Sequence, residues 1–376
     1  MRIAVINNLY KPYNRGGAEA VAEEIVKQAS ALGHQVFVIS TAPDKSYFLD
    51  NTYYLKSSYY NLGQKSLLFR ALWQINNLFN LRKYYQIKNI LQKNKIDLVI
   101  SNNIMGLGFF LPYLCQKLKI RNIQILHDIQ LLHPSGLMYF GEEKIIDSLG
   151  AKLYQYFTRQ LFATPELVVA PSHWLLDLYT QKAFFLNSKK VVLENPVKTK
   201  DATAITTDKV DGEITNFLYV GQIEKHKGAL FLAETFKAIV NPFITLTIIG
   251  DGSLRAELKE IIKNDKRITY LGKRAKDEVL AAMASANAVI VPSLCYENSP
   301  TVIYEALSVK TSFIGSNIGG IPELSRKYGG LLFRAGDKED LKGEIEYFAN
   351  HHNDFKITQT KNEAPQSYLV SLLKNL

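Results

Sequence analysis

Glu297 and Glu305, with seven residues between them, are the side chains of this sequence whose type and spacing most invite chemistry. The stretch around them, from Val289 to Leu307, reads Val-Ile-Val-Pro-Ser-Leu-Cys-Tyr-Glu-Asn-Ser-Pro-Thr-Val-Ile-Tyr-Glu-Ala-Leu. The apolar run Ala288 to Val291 has strand composition and Pro292 ends it. Ser299-Pro300 then predicts an N-cap followed by a proline at the first helical position. Past that proline, the amides of Thr301, Val302 and Ile303 lie at the positive end of the helix dipole, where a phosphate is stabilised. Glu297 falls in the loop beside Asn298 and Ser299, and Glu305 about a turn and a half into the helix. Two hydroxyl acceptors thus flank one anion site, which suits a ligand carrying a diphosphate between two hydroxyl-bearing parts. A capped helix with two solvated acids is the plainer reading of so short a pattern.

The elements that must position this stretch alternate strand and helix along the whole chain. Ile3 to Ile6 reads as a buried strand, Gly16-Gly17 as a tight turn, and Ala18 to Leu32 as an amphipathic helix closed by Gly33. Further strands are expected at Gln35 to Ile39, Asp97 to Ile100, Ile123 to Leu126, Leu167 to Ala170 and Val191 to Leu193, as a parallel sheet requires. In such sheets ligands meet the carboxyl ends of the strands, which puts His127-Asp128 at a functional end. Lys198 to Thr215 is polar and aperiodic and reads as a linker. The pattern then restarts with strands at Phe217 to Val220, Thr245 to Ile249 and Ile268 to Gly272, and a helix at Lys276 to Ser285. Gly16-Gly17 is not a dinucleotide fingerprint and no acid closes the second strand, so a nicotinamide cofactor is disfavoured.

Several motifs together resemble the retaining glycosyltransferases of family 4: Glu297 and Glu305 at their spacing, Lys227-Gly228, Gly250-Asp251-Gly252, and Ser316 to Glu323 with Gly319-Gly320. In the first half the resemblance is carried by Gly16 to Glu19, by His127-Asp128 and by Glu194-Asn195-Pro196-Val197. It implies an α/β chain in the GT-B architecture, two Rossmann-like domains with parallel sheets facing across a cleft. The N-terminal acceptor-binding domain would span 1–195, the linker 196–215, the C-terminal nucleotide-sugar domain 216–360, and a helix crossing back to the first domain 361–376. The implied reaction moves a sugar from a nucleoside diphosphate-sugar, UDP-sugar slightly favoured, to a glycan or lipid-linked acceptor in bacterial surface polysaccharide synthesis.

By the same resemblance Glu305 holds the ribose diol, Glu297 the donor sugar's hydroxyls, Lys227 the diphosphate, and His127 approaches the reaction centre. Gly16, Gly17, Gln222, Gly250, Asn298, Ser299, Thr301 and Val302 complete the donor site. Gln222 stands where the family carries an arginine, exchanging a charged fork for a neutral amide. The chain has no Asp-x-Asp, so no metal or other cofactor is implied, and the leaving phosphate itself deprotonates the acceptor in the mechanism inferred for the family.

Composition bounds what remains. Of the net charge of +10, the first 195 residues supply nearly all, with 22 Lys and Arg against 13 Asp and Glu. Residues 51–96 contain no acid but eight cations, Lys56, Lys65, Arg70, Arg82, Lys83, Lys88, Lys93 and Lys95, among many Tyr, Phe and Leu and one Trp. That segment reads either as a pair of surface helices whose apolar residues face the sheet or as a contact with an anionic membrane surface. Two cysteines at no metal or disulfide spacing suggest buried thiols in a reducing compartment. The start of the sequence lacks the apolar core of a secretion signal, so a cytoplasmic location, peripheral on the inner membrane face if 51–96 docks there, is expected. Rival readings are a sugar-nucleotide-binding subunit without turnover, hinted at by Gln222, and a basic nucleic-acid binder, which the motif set disfavours.

Overall fold

The computed structural model of the chain describes residues 1–13, 16–43, 49–196, 214–355, 357 and 367–376. They form two compact units: Met1–Leu137, Lys144–Pro196 and Ala364–Leu376 in the first, Met138–Glu143 and Val197–Glu363 in the second, each over its described residues. The sequence reading ran the first domain unbroken to residue 195. Met138–Glu143 instead joins the second unit, because its backbone finds partners there: Tyr139 bridges antiparallel to Cys295, Phe140 N donates to Leu294 O at 3.0 Å and Tyr296 N to Met138 O at 2.9 Å. The linker expected over 196–215 lies outside the described residues from 197 to 213.

The first unit holds seven parallel strands: β1 (Arg2–Ile6), β2 (Gln35–Ala42), β3 (Thr52–Lys56), β4 (Leu98–Ser101), β5 (Arg121–Ile125), β6 (Leu167–Ala170) and β7 (Lys189–Val192), in the order β3-β2-β1-β4-β5-β6-β7. The second holds six: β8 (Thr215–Val220), β9 (Ile244–Ile249), β10 (Ile268–Gly272), β11 (Ala288–Val291), β12 (Ser312–Ser316) and β13 (Leu331–Phe333), in the order β10-β9-β8-β11-β12-β13. Ordered this way, both sheets wind outward in two directions from their first strand, with helices between most of the consecutive strands.

Strands so wound are covered on both faces, which is why they read as unbroken apolar runs. In the second unit Phe217, Tyr219, Ala288 and Ile290 enter one core while the alternating Leu218, Val289 and Val291 enter another. In the first unit Ile3, Val5, Ile100, Ile123 and Val169 pack with helix Gly17–Ala31 and with the C-terminal helix Tyr368–Asn375. That last helix is fixed to its neighbour by Gln28 Oε1, which accepts from Ser367 Oγ at 2.7 Å and Leu369 N at 3.0 Å.

Three strands escaped the sequence reading. β3 reads Thr-Tyr-Tyr-Leu-Lys inside the aromatic and basic segment 51–96, and as an edge strand it buries only Leu55. β12 carries glycine and two serines, and β13 is three residues long. Both cysteines are buried, and burial pushes each thiol up to about 12.

Candidate active site

In the second unit the strand order reverses between β8 and β11, and the carboxyl ends of strands at such a reversal are where ligands of doubly wound sheets bind. The loop after β8 brings Gln222 and Lys227, and the loop after β11 brings Glu297, Asn298 and Ser299. The two are in backbone contact. Leu294 N donates to His226 O at 2.9 Å, and Gly228, at φ +74°, lies so close that an added Cβ would fall 1.9 Å from Pro292 O. Only glycine permits that approach.

This contact sets Lys227 Nζ at 2.6 Å from Glu297 Oε1, an oxygen that also accepts from Ser293 Oγ at 3.1 Å. The pair is reachable, with Lys227 31% and Glu297 14% exposed. Burial lowers the pKa of the ammonium, but the charge and hydrogen bond of Glu297 outweigh it, so Lys227 is raised and stays protonated. A third loop, after β12, fixes the backbone under Glu297. Gly320 N donates to Glu297 O at 2.8 Å, and Gly319 at φ +65° would place a Cβ 2.2 Å from the same oxygen. Ser316 Oγ donates to Val291 O and Ser293 O at 3.1 and 2.8 Å. Gly250 serves a comparable contact, since its Cβ would lie 1.7 Å from Gly221 O. The side chain of Gln222 is exposed while its carbonyl accepts from Tyr219 OH at 2.7 Å.

The helix after this loop runs Thr301–Ser308 with Pro300, not Ser299, at the N-cap. Pro300 is extended at ψ 120°, which shifts the start by one residue, and Ser299 Oγ pairs with Tyr304 OH at 2.7 Å inside the protein. Ile303 N donates to Pro300 O at 3.1 Å, so the anion-facing amides reduce to Thr301 and Val302. Thr301, Val302 and Glu305 share the half-buried face of this helix, as one- and four-residue spacings dictate, while Ile303, Tyr304, Ala306 and Leu307 are buried.

His127 belongs to the first unit, as do Gly16 and Gly17. The Gly16-Gly17 turn is not formed: Gly16 is extended at φ −162° and Gly17 opens the helix, with Gly16 N donating to Glu19 Oε2 at 2.7 Å. His127 follows β5, and its Nε2 lies 2.9 Å from Asn102 Oδ1. Burial brings the imidazole down to about 4, so it is neutral at pH 7. Asp128 is pushed up to about 6 by burial, with hydrogen bonding from Gln130 working against that rise. Its Oδ2 accepts from Asn103 Nδ2 at 3.1 Å.

The sequence reading missed the amides that hold this end of the sheet. Asn7-Asn8 and Asn102-Asn103 leave the neighbouring strands β1 and β4 and lock together through Asn8 N to Asn103 O at 2.6 Å and Asn103 N to Asn7 Oδ1 at 3.1 Å. Asn102 Nδ2 and Gln130 Oε1 are buried with no hydrogen-bond partner among the described residues. The signal was legible, since a repeated Asn-Asn directly after an apolar strand is poor strand material in both places. Ser293 and Ser316 gave no comparable signal.

A charged pair and a helix N-terminus at a strand-order reversal define an α/β protein whose strand ends carry groups suited to an anionic, hydroxyl-bearing ligand. Comparison with known proteins narrows this. Residues 15–201 match Glycosyltransferase Family 4 and residues 214–351 match Glycosyl transferases group 1. The chain belongs to this glycosyltransferase family, and its fold is GT-B. A protein described as an uncharacterized 42.6 kDa protein in cps region of Klebsiella pneumoniae is 26% identical over 89% of this chain and 90% of its own length. Sucrose-phosphate synthase from Thermosynechococcus elongatus superposes with a TM-score of 0.69 at 17% identity, covering 95% of this chain and 91% of its own. Anabaena HepE in complex with UDP and glucose does so at 0.67 and 18%, covering 95% and 92%.

Proposed function

We propose that this glycosyltransferase moves a sugar from a UDP-sugar, with retention at the anomeric carbon, to a glycan or lipid-linked acceptor in bacterial surface polysaccharide synthesis. The observation that carries the reading is the Lys227–Glu297 contact of 2.6 Å between the loops that leave β8 and β11. It supplies one cation for a diphosphate and one carboxylate for sugar hydroxyls, side by side. The UDP bound by Anabaena HepE supports the choice of nucleotide, and the Klebsiella relative in a cps region supports the polysaccharide setting.

In this proposal the diphosphate lies over Lys227 and the amides of Thr301 and Val302, and Glu305 takes the ribose diol. Glu297 takes hydroxyls of the sugar, and the backbone at Gly250 and in the loops beside it bounds the site. No metal ion is invoked. The bond from the anomeric carbon to the diphosphate breaks while the acceptor oxygen bonds to that carbon on the same face, and the acceptor proton passes to the leaving phosphate. Stabilising the departing charge is then the main task, and a raised, permanently charged Lys227 is suited to it. His127, neutral at working pH, acts as a hydrogen-bonding group and not as a proton donor. Thermal shifts against UDP-, GDP- and ADP-sugars test the donor, since specific binding raises apparent stability. The configuration of the new glycosidic bond, read by NMR, tests retention. An inverted product would end the mechanism proposed, and stabilisation by GDP- or ADP-sugars alone would end the donor assignment.

Within residues 51–96 the helix Leu81–Lys93 buries Ile87 and Leu91, as the plain reading expects, and it is the helix before it that supports the membrane-facing alternative. Helix Leu67–Leu78 turns Leu67, Leu68, Leu72 and Ile75 outward at 79, 70, 59 and 58% exposure, instead of onto the sheet. Exposed Lys65 and Arg70 accompany them, which suits an anionic bilayer. Lys83 drops out of the cationic set: it is buried and its Nζ donates to Lys56 O at 2.7 Å. Among the described residues no helix is long and apolar enough to cross a membrane.

A further inference from the structure

The first unit contains a cavity, away from His127, that the donor and reaction-centre roles do not use. Its volume is about 710 Å³, and it lies between the end of β3 and the helices Leu67–Leu78 and Leu81–Lys93. Among its lining are Lys56, Trp73, Asn76, Asn80, Arg82 and Gln86. Three of the described lining residues are cationic, Lys83 being the third, and none is acidic. Trp73 stacks against Tyr59 with ring centroids 6.1 Å apart, which holds an aromatic surface in place. Gln86 Oε1 is buried without a hydrogen-bond partner among the described residues, a demand that a ligand hydroxyl would meet.

The walls are built rather than accidental. Asn77 is buried and its Oδ1 accepts from Gly106 N at 2.7 Å, tying the helix to the loop after β4. Gly106 at φ +86° would place a Cβ 2.9 Å from Ser57 Oγ, so the contact of that loop with the end of β3 requires glycine. Asn80 Oδ1 accepts from Lys83 N at 3.0 Å and caps the next helix. The pocket opens at the carboxyl ends of the strands, the same edge of the sheet that carries His127.

Aromatic surface, amides and cations without acids match a sugar ring bearing a negative group. We propose that this cavity binds an anionic sugar residue of the acceptor, Lys56 and Arg82 pairing with its carboxylate or phosphate while Trp73 and the amides take the ring. The proposal rests on the glycosyltransferase reading with its acceptor on the first unit. β3 and β5 are four strand positions apart, so the cavity lies roughly 19 Å along the sheet from the strand leading to His127. The residue bound here is therefore several sugars removed from the hydroxyl that reacts, and the acceptor is an oligosaccharide, not a single sugar.

The full-length protein carrying Trp174→Phe keeps Trp73 as its sole tryptophan, so fluorescence reports on this cavity. It is titrated with a hyaluronan tetrasaccharide, which supplies carboxylates, with phosphomannopentaose, which supplies a phosphate, and with neutral maltotetraose. A saturable change with either anionic sugar, at least tenfold tighter than with maltotetraose, is expected, and the arm that saturates names the anion. Lys56→Gln with Arg82→Gln should weaken that binding at least tenfold, whereas Lys117→Gln with Lys152→Gln, exposed and outside the cavity, should leave it unchanged. No anionic preference, or equal losses in the two double variants, overturns the proposal. UDP binding is measured on the same samples. Its absence in the parent would count against the donor reading, while its persistence beside a failed titration would count against this cavity alone.

Discussion

Replacing Lys227 and Glu297 one at a time separates two roles that their contact ties together. The ammonium is held by Glu297 at 2.6 Å, so a diphosphate must compete for it. A hydrogen bond to a charged group contributes about 1.5–3 kcal/mol, so Lys227→Ala is expected to weaken free UDP roughly 10- to 150-fold. Glu297→Gln keeps the shape but removes both the competitor for Lys227 and a negative charge beside the phosphates. Free UDP should then bind no more weakly than to the parent, while UDP-sugar binding and turnover both fall because a charge-assisted contact to the sugar hydroxyls becomes a neutral one. Calorimetric titration with UDP and with intact donor, together with single-turnover kinetics, reads all four quantities. If Glu297→Gln loses as much UDP affinity as Lys227→Ala, then Glu297 serves to position the lysine and the assignment of sugar recognition to it is wrong.

Three further outcomes follow from particular contacts. Gly319→Ala must place a methyl 2.2 Å from Glu297 O at φ +65°, so a loss of about 2 kcal/mol or more in urea denaturation is expected, and unchanged stability would show that the loop yields freely. His127 titrates near 4 in the folded chain against 6.5 unfolded, so the unfolded state takes up the proton first and stability is lost as pH falls from about 6.5 toward 4. Asp128, raised to about 6, works in the opposite sense. Its contribution is present below its unfolded value of 3.8 and is lost as pH rises through 6. His127→Gln should therefore gain on the parent by about 2 kcal/mol between pH 7 and 4.5, and a gap that does not move with pH would contradict the buried neutral imidazole. Sedimentation with vesicles should show binding to anionic but not neutral bilayers, lost when Leu67, Leu68 and Leu72 become serine and kept in Lys83→Gln. Equal recovery of parent and triple variant would leave the apolar face without a membrane role.

The sequence alone determined the two-part α/β fold, because strands buried on both faces must be apolar throughout and cannot be mistaken when helices of regular period separate them. It also singled out Lys227 and Glu297, which the fold brings into contact, and Glu305, which stands on the helix that follows. The edge strand Thr52–Lys56 was lost in an aromatic and basic background, since an edge needs little burial and leaves little pattern. Whether Leu67, Leu68 and Leu72 faced the sheet or the solvent could not be read either, because the same helical period serves both. Tertiary structure decided that Met138–Glu143 pairs with the loop before Glu297, a contact between residues over 150 apart in sequence in the case of Tyr139 and Cys295, made by backbone groups that carry no residue signature. It decided too that Gly228, Gly250 and Gly319 are required by neighbouring carbonyls, as only the folded distances of 1.9, 1.7 and 2.2 Å reveal. Local pattern records what a segment buries. Which segments then meet is set by the packing of the whole sheet, and there the lysine and the glutamate acquire their common position.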